Sequence, residues 1–543
     1  ETTFRTAAGT AVLTDAMAVG RNDRGHELGA GSPGMLLRRV ACTDGAVEID
    51  VSYAPRPEYG LIHPILEAVP GGLAARGGAD RLLLSGPGGF RVDGATASAR
   101  LHLAAGQTVS FALAHGRMGE PPLAAWDAGE IAARLEDTLD GWRSWSAIHQ
   151  TYEGPWRDLV HHSGRVLQAL TFQPTGAIVA APTTSLPETV GGGRNWDYRY
   201  TWVRDASLTM EALWVAACPD EANKFFAFLA DAAASQLERE LDLQIMFGIG
   251  GERDLTEREL PHLSGWRSSR PVRVGNGAWN QRQLDVYGEL LGAAQRLVEQ
   301  LGELDPITQR FLAAAADTAA RRWREKDQGI WEIRGEPRDF LYSKLSCWAA
   351  LDRAIALAPQ LGALHRVEGW AATRDEIRAA ILSRGWNDRA GAFTQAFGSE
   401  DLDASNLMLA ITGFLPGDDP RMKATIDATA ARLTDERGLV YRYLAHDGLE
   451  GEEGTFLLCT FWLAHAQALT GELDQAKANF ERAVAAVNDV GLLAEEVDGA
   501  TGEMIGNFPQ AFSHIGLVNA AWAITQAEDR AAGRDPAAAR PQR

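Results

Sequence analysis

Gly191-Gly-Gly-Arg-Asn-Trp-Asp-Tyr-Arg-Tyr-Thr-Trp-Val-Arg-Asp205 is a glycine-led, polar and aromatic stretch that stops where a helical period begins. It ends a connection between a helix expected from near Trp156 and another from Asp205, far longer than the usual loop. The same spacing recurs downstream. From Trp156 onward the apolar period is 3.6, with helix starts expected near Trp156, Asp205, Pro219, Ala278, Asp305, Phe340, Gly362, Asp403, Asp418, Gly454, Gly471 and Pro509. At Asp305-Pro306 and Asp419-Pro420 the acid can cap and the proline fits the first turn. Links from even to odd members of this series are short, at Cys218, Glu303-Leu304 and Thr470. Links from odd to even members run to roughly 13 to 40 residues, well above the median for loops. In an antiparallel alternation all long links emerge at one end of the helices. Six helix pairs closed into a ring, an (α/α)6 barrel, is the simplest arrangement with that property. A superhelical array shares the alternation, but no motif of fixed period supports it.

Upstream the period is two. Val47, Ile49, Val51 and Tyr53 alternate with Glu48, Asp50 and Ser52, and Ala99, Leu101, Leu103 and Val109, Phe111, Leu113 repeat the pattern. Strands without intervening helices predict an antiparallel β-sandwich over residues 1–120, incomplete at its N-terminus or built from few strands. After the hinge Glu120-Pro121-Pro122, a linker over 121–155 carries a helix with Ile131, Leu135, Leu139, Trp142 and Trp145 on one face. The (α/α)6 catalytic domain is expected over 156–530 and a flexible Ala/Arg/Pro-rich tail over 531–543. The fold class is thus mainly α with an N-terminal all-β domain.

Composition excludes several functions. The chain has 543 residues, 45% apolar and 23% charged, which rules out disorder, a fibre and a small disulfide scaffold. No apolar run is long enough to span a bilayer. Against 52 basic residues stand 72 acidic ones, a net charge of −20; that field repels nucleic acid and anionic lipid but not a neutral sugar. Cys42, Cys218, Cys347 and Cys459 show no CxxC or zinc spacing, so buried thiols, a cytoplasmic location and no metal are expected. The chain opens at Glu1 without a signal segment. An edge left open by a short sandwich would leave room for a partner chain, so an oligomer is possible.

The long loops carry the chemistry. Arg253-Asp254 and Ser269–Gly277 lie in the second, Gly329–Arg338 in the third, Glu450–Gly454 in the fifth, and Leu493–Asp498 with Gly506–Gln510 in the sixth. Aromatic faces suit sugar rings, and Arg with Asp can fork hydroxyls from both sides. Glycoside hydrolysis needs two carboxyls, one to protonate the departing oxygen and one to activate water or attack carbon. A loop carboxylate taken alone is usually a solvated surface charge. Glu332 stands apart because the indole of Trp331 beside it offers the apolar flank that suits a general acid.

Together, Tyr198-Arg-Tyr-Thr-Trp-Val-Arg-Asp205, Trp331-Glu332, Phe456-Leu-Leu-Cys-Thr460 and Ala494-Glu-Glu-Val497 resemble glycoside hydrolase family 15, which contains glucoamylases, glucodextranases and bacterial trehalases. The resemblance covers nearly the whole chain. It implies an (α/α)6 barrel and inverting, exo-acting hydrolysis of a small α-glucoside, trehalose or a malto- or isomalto-oligosaccharide, without cofactor. It also implies Glu332 as general acid, Glu495 as general base, Arg204 and Asp205 as the grip on the terminal glucose, and Tyr198, Trp202 and Trp331 as an aromatic wall. Glu496 is left as a supporting charge, and Arg270 to Arg273 is open between sugar contact and loop scaffold. Asp339 departs from the pattern, standing where trehalase-type relatives often have histidine, a change that bears on leaving-group selection. Two other classes fit the architecture: an inverting disaccharide phosphorylase, which has no use for the base Glu495, and an inactive sugar-binding protein.

Overall fold

The alternating segments pair as antiparallel strands, and β3 is the pivot of the sheet. The computed structural model describes residues 1–149, 152–216, 221–238, 242–297, 304–448, 451 and 453–534, in two compact units, Glu1–Ile148 and His149–Arg543. In the first unit the strands are β1 (Thr2–Arg5), β2 (Gly9–Met17), β3 (Met35–Tyr53), β4 (Ile65–Val69), β5 (Gly72–Gly77), β6 (Asp80–Ser85), β7 (Arg91–Asp93), β8 (Thr96–Ala104) and β9 (Thr108–Arg117). Their order is β1-β2-β3-β9-β6-β5-β4, with β8 branching from β3 and carrying β7. The first part of β3, Met35 to Ala41, pairs with β9; the second, Ala46 to Tyr53, leaves that layer and pairs with β8. Gly45, at φ +63°, marks the crossing, where a Cβ would stand 2.1 Å from the carbonyl oxygen of Ala8; only glycine tolerates both the conformation and the contact.

Tyr53, Leu66, Leu73, Leu84 and Phe111 fill the space between the two layers. The outer face of the larger layer packs on α1 (Ala128–His149), the helix expected in the linker. Ile131 and Leu135 of α1, 1% and 0% exposed, meet Leu37, Leu83 and Ala112. Burying two such side chains stabilises the contact by about 1.5–3 kcal/mol each, so this helix is a third layer of the first unit.

The second unit contains α2 (Arg157–Ala169), α3 (Val203–Ala216), α4 (Glu221–Glu238), α5 (Val286–Arg296), α6 (Pro306–Arg322), α7 (Leu341–Leu357), α8 (Val367–Arg384), α9 (Met408–Ile411, entered through a 3-10 turn at Ala404–Leu407), α10 (Pro420–Arg432), α11 (Leu457–Thr470), α12 (Leu473–Val484) and α13 (Ala511–Ala531). Each of α3, α5, α7, α9 with its turn, α11 and α13 packs on the next, and α13 returns to α3. The ring is closed, an (α/α)6 barrel, which excludes a superhelical array. The other helices pack outside: α2 on α3 and α13, α6 on α5 and α7, α12 on α11 and α13. Composition explains this placement. Inner α11 is buried on nearly every side, whereas outer α12 buries only Ala476, Asn479, Phe480 and Ala483, as an amphipathic surface helix does.

The expected caps form. Asp305 accepts from the N–H groups of Ile307 and Thr308, and Asp419 accepts from that of Arg421; such caps contribute about 1 kcal/mol each. One start differs from the expectation. α5 begins at Val286 and not near Ala278: the Leu284 N–H, which a helix from Ala278 would use in its own ladder, goes instead to the Asp327 carboxylate. Cys42, Cys347 and Cys459 are buried and unpaired; Cys218 and residues 535–543 lie outside the described residues. No helix among the described residues is long and apolar enough to cross a membrane.

Candidate active site

Five of the six long loops line one cavity that is open to solvent. Tyr198, Trp202, Arg204, Asp205, Trp331, Glu332 and Glu495 all reach it. The first loop delivers most of them. Thr201–Trp202 pairs with Met246–Phe247 of the second loop, so the chain enters α3 directly and Arg204 and Asp205 fall in its first turn. Both are buried. The Arg204 guanidinium stands 3.1 Å from the Asp205 carboxylate and 3.5 Å from Glu332 Oε1, and it donates to the carbonyl of Ile330 at 2.6 Å. Its carbon lies 5.0 Å over the Phe512 ring. Burial pushes the Asp205 carboxyl up to about 6 against the pull of Arg204.

Glu332 sits in a tight turn in which its own N–H bonds the carbonyl of Gly329 and the Ile333 N–H bonds that of Gln328. Its φ is +58°, the left-handed region that a branched or charged side chain enters only at a cost. Trp202 meets Glu332 through its polar edge, the indole N–H donating to Glu332 Oε1 at 2.6 Å. Trp331 turns its own N–H to Asp403, at 2.9 and 3.1 Å, and its ring packs on Phe456 and Trp462. Asp403 is the contribution of the fourth loop, which reaches the cavity only through that indole.

Glu495 comes just before a two-residue strand, Glu496–Val497, held between Thr455–Phe456 and Met504–Ile505. Ser513 at the start of α13 pins the preceding carbonyl of Ala494 at 2.6 Å. Gly506, at φ +82°, lies so close that a Cβ there would stand 3.0 Å from that of Glu495. The carboxyl is 2% exposed; Oε1 accepts from the Tyr198 hydroxyl at 2.8 Å, and Oε2 has no partner among the described residues. Burial raises this carboxyl to about 7, against the opposing effects of Arg442 and the Tyr198 hydroxyl. Tyr198 and Trp202 meet edge to face, centroids 5.6 Å apart. One continuous wall, Glu495–Tyr198–Trp202–Glu332, therefore joins the two carboxyls.

A second electrostatic group went unread in the sequence. Arg194 forks Asp447 at 2.8 and 3.2 Å and pairs with Glu453. Arg442 bonds both oxygens of Glu453, at 2.5 and 3.0 Å, sharing Oε1 with Arg194, and stands 4.0 Å from both Glu188 and Glu496. Burial, and then Glu495, drive the Glu188 carboxyl well above the carboxylate range. Arg194 and Glu188 flank the glycines of the quoted loop, a signal that was available; Arg442 and Asp447 lie in a stretch with no motif. Glu496 does not line the cavity and accepts from the N–H of Gly454. Arg273 scaffolds the first loop by donating to the carbonyls of Gly193 and Asn195. Asp339 is not in the cavity lining either: it faces buried Lys344 at 3.2 Å and Arg384 at 3.9 Å.

The model of a known family, glycosyl hydrolases family 15, matches residues 154–522. The chain is 39% identical over 551 aligned residues to a trehalase of Mycolicibacterium smegmatis, covering 98% of this chain and 82% of that protein. It is 40% identical to a trehalase of Mycobacterium tuberculosis over 98% of this chain and 80% of that one. Among solved structures, a bacterial glucoamylase complexed with acarbose superposes with a TM-score of 0.70 over 95% of this chain and 82% of that one, at 14% identity, a likeness of fold. Sequence relatives and architecture agree, and the chain belongs to glycosyl hydrolases family 15 and is a glycoside hydrolase.

Proposed function

We propose that this chain is an inverting, exo-acting α-glucoside hydrolase that acts on trehalose in the first place and on malto- or isomalto-oligosaccharides in the second. The supporting observation is the wall that joins Glu332 to Glu495 across one cavity, with Glu495 Oε2 buried and unpartnered among the described residues. Trehalose leads because the relatives at 39% and 40% identity are trehalases.

In this reading Arg204 and Asp205 grip the terminal glucose, donor beside acceptor. Both contacts made by Glu332 fall on Oε1, so Oε2 carries the proton to the glycosidic oxygen as the bond to the anomeric carbon breaks. Glu495 Oε2 takes a proton from water, whose oxygen bonds the anomeric carbon from the opposite face. Tyr198 holds Oε1 and so aims that carboxylate. The leaving sugar departs as an alcohol and the released glucose is the β anomer.

The test is to incubate the protein with trehalose, maltose, isomaltose and panose and follow the released anomers by proton NMR, with and without phosphate. Equal initial amounts of α- and β-glucose from trehalose support the reading. Release of α-glucose alone overturns inversion, phosphate-dependent release of a sugar 1-phosphate makes the protein a phosphorylase, and no cleavage removes the activity.

A further inference from the structure

Arg334 is two residues beyond Glu332, exposed and lining the same cavity. Among the described residues its guanidinium makes no hydrogen bond or ion pair; its carbon lies 5.0 Å over the ring of Trp196. The other cavity arginines are occupied: Arg194 by Asp447 and Glu453, Arg204 by Asp205 and Ile330, Arg442 by Glu453. In a chain with a net charge of −20, an arginine beside the site with no carboxylate partner among the described residues is unusual. An aromatic face fixes the plane of a guanidinium without using its N–H groups, so among the described residues no protein group takes the donor fork of Arg334. Gly277 makes room for it, since a Cβ there would stand 2.8 Å from an Arg334 nitrogen.

The platform beneath is rigid. The Trp196 carbonyl accepts from the Asn507 amide at 2.9 Å and from the Ser185 N–H at 2.8 Å. Arg273, also over the ring at 4.8 Å, bonds the carbonyls of Gly193 and Asn195 on the N-terminal side of Trp196. The acid works on the departing oxygen, so the group bonded to that oxygen lies beside the turn that carries the acid. Arg334 follows that turn directly.

We infer that Trp196 and Arg334 form the leaving-group subsite, where the guanidinium fork held on the indole donates to the hydroxyls of a departing sugar. The subsite selects α-glucosides whose leaving group is itself a polyol sugar over those with a small leaving group. This rests on the proposed role of Glu332 as the acid.

The experiment compares Arg334→Ala, Arg334→Lys and Trp196→Phe in the full chain, with kcat/KM measured on trehalose and on α-glucosyl fluoride, whose leaving group has no hydroxyls. The ratio of the two values is expected to fall by about 10- to 100-fold in Arg334→Ala, the worth of a hydrogen bond from a charged donor, mainly through KM for trehalose. Arg334→Lys restores only part of the ratio, because an ammonium cannot fork, and Trp196→Phe gives an intermediate fall. An unchanged ratio in Arg334→Ala, whether both rates hold or both drop together, overturns the subsite. A wild-type protein that cleaves neither substrate overturns the hydrolase reading and the subsite with it; a wild type active on both, with an unchanged ratio in the variants, overturns the subsite alone.

Discussion

The indole of Trp202 holds Glu332 Oε1 at 2.6 Å while the backbone of Glu332 stands at φ +58°. The side chain is thus placed by a turn that an ordinary residue avoids, and a partner from another loop fixes it there. Backbone strain of this kind persists where the surroundings over-determine it.

That strain has a measurable sign. Glycine normally destabilises relative to alanine by about 0.4–1 kcal/mol through the unfolded chain. At position 332 the order reverses, because a left-handed L-residue costs about 1–2 kcal/mol. Glu332→Gly is therefore expected to be more stable than Glu332→Ala by about 0.5–1 kcal/mol, read from paired urea unfolding curves.

Removing either proton carrier while keeping shape isolates the chemistry. Glu332→Gln and Glu495→Gln are each expected to lower kcat on trehalose by about 10²- to 10⁴-fold, with an unaltered circular dichroism spectrum. In the second variant the side-chain amide oxygen can still accept from Tyr198, so a loss there reports proton transfer and not a displaced loop. Wild-type turnover in either variant removes that residue from its role.

The pH profile follows from burial. Glu495 is raised to about 7, and a base works only when ionised, so kcat/KM should fall as pH drops through about 7. The Tyr198 hydroxyl bonds the carboxylate and favours its charged form. In Tyr198→Phe the acidic limb should therefore move to higher pH; a limb that moves down or stays in place contradicts the assignment.

Asp339, which the sequence connects with leaving-group selection, faces Lys344 rather than the cavity. Lys344 is 1% exposed on its side chain, so neutralising its partner leaves a buried cation short of compensation. Asp339→Asn is expected to lose about 1–3 kcal/mol of stability with no change in the ratio of trehalose to maltose hydrolysis. A changed ratio at full stability returns Asp339 to the specificity question.

What the sequence determines by itself is local. Helix periods, the Asp305 and Asp419 caps and the strand alternation of Val47 to Tyr53 each depend on neighbours within a few residues, so they are legible along the chain. The alternation of long and short links adds that every long loop emerges at one end, while closure of the ring rests on α13 packing against α3. Arg204, Asp205, Glu332 and Glu495 are singled out through the resemblance that their contiguous motifs carry to a known family. The α5 start escapes because Asp327, 43 residues further on, takes the Leu284 N–H, a contest that periodicity does not register. Tertiary structure alone decides the rest: that the Trp202 indole N–H reaches Glu332, that Arg442 and Arg194 share Glu453, that Arg334 lies on Trp196, and that Glu495 Oε2 is left without a partner among the described residues. These are pairings between residues far apart in the chain, and their energies depend on burial and distance, which exist only once the ring has closed.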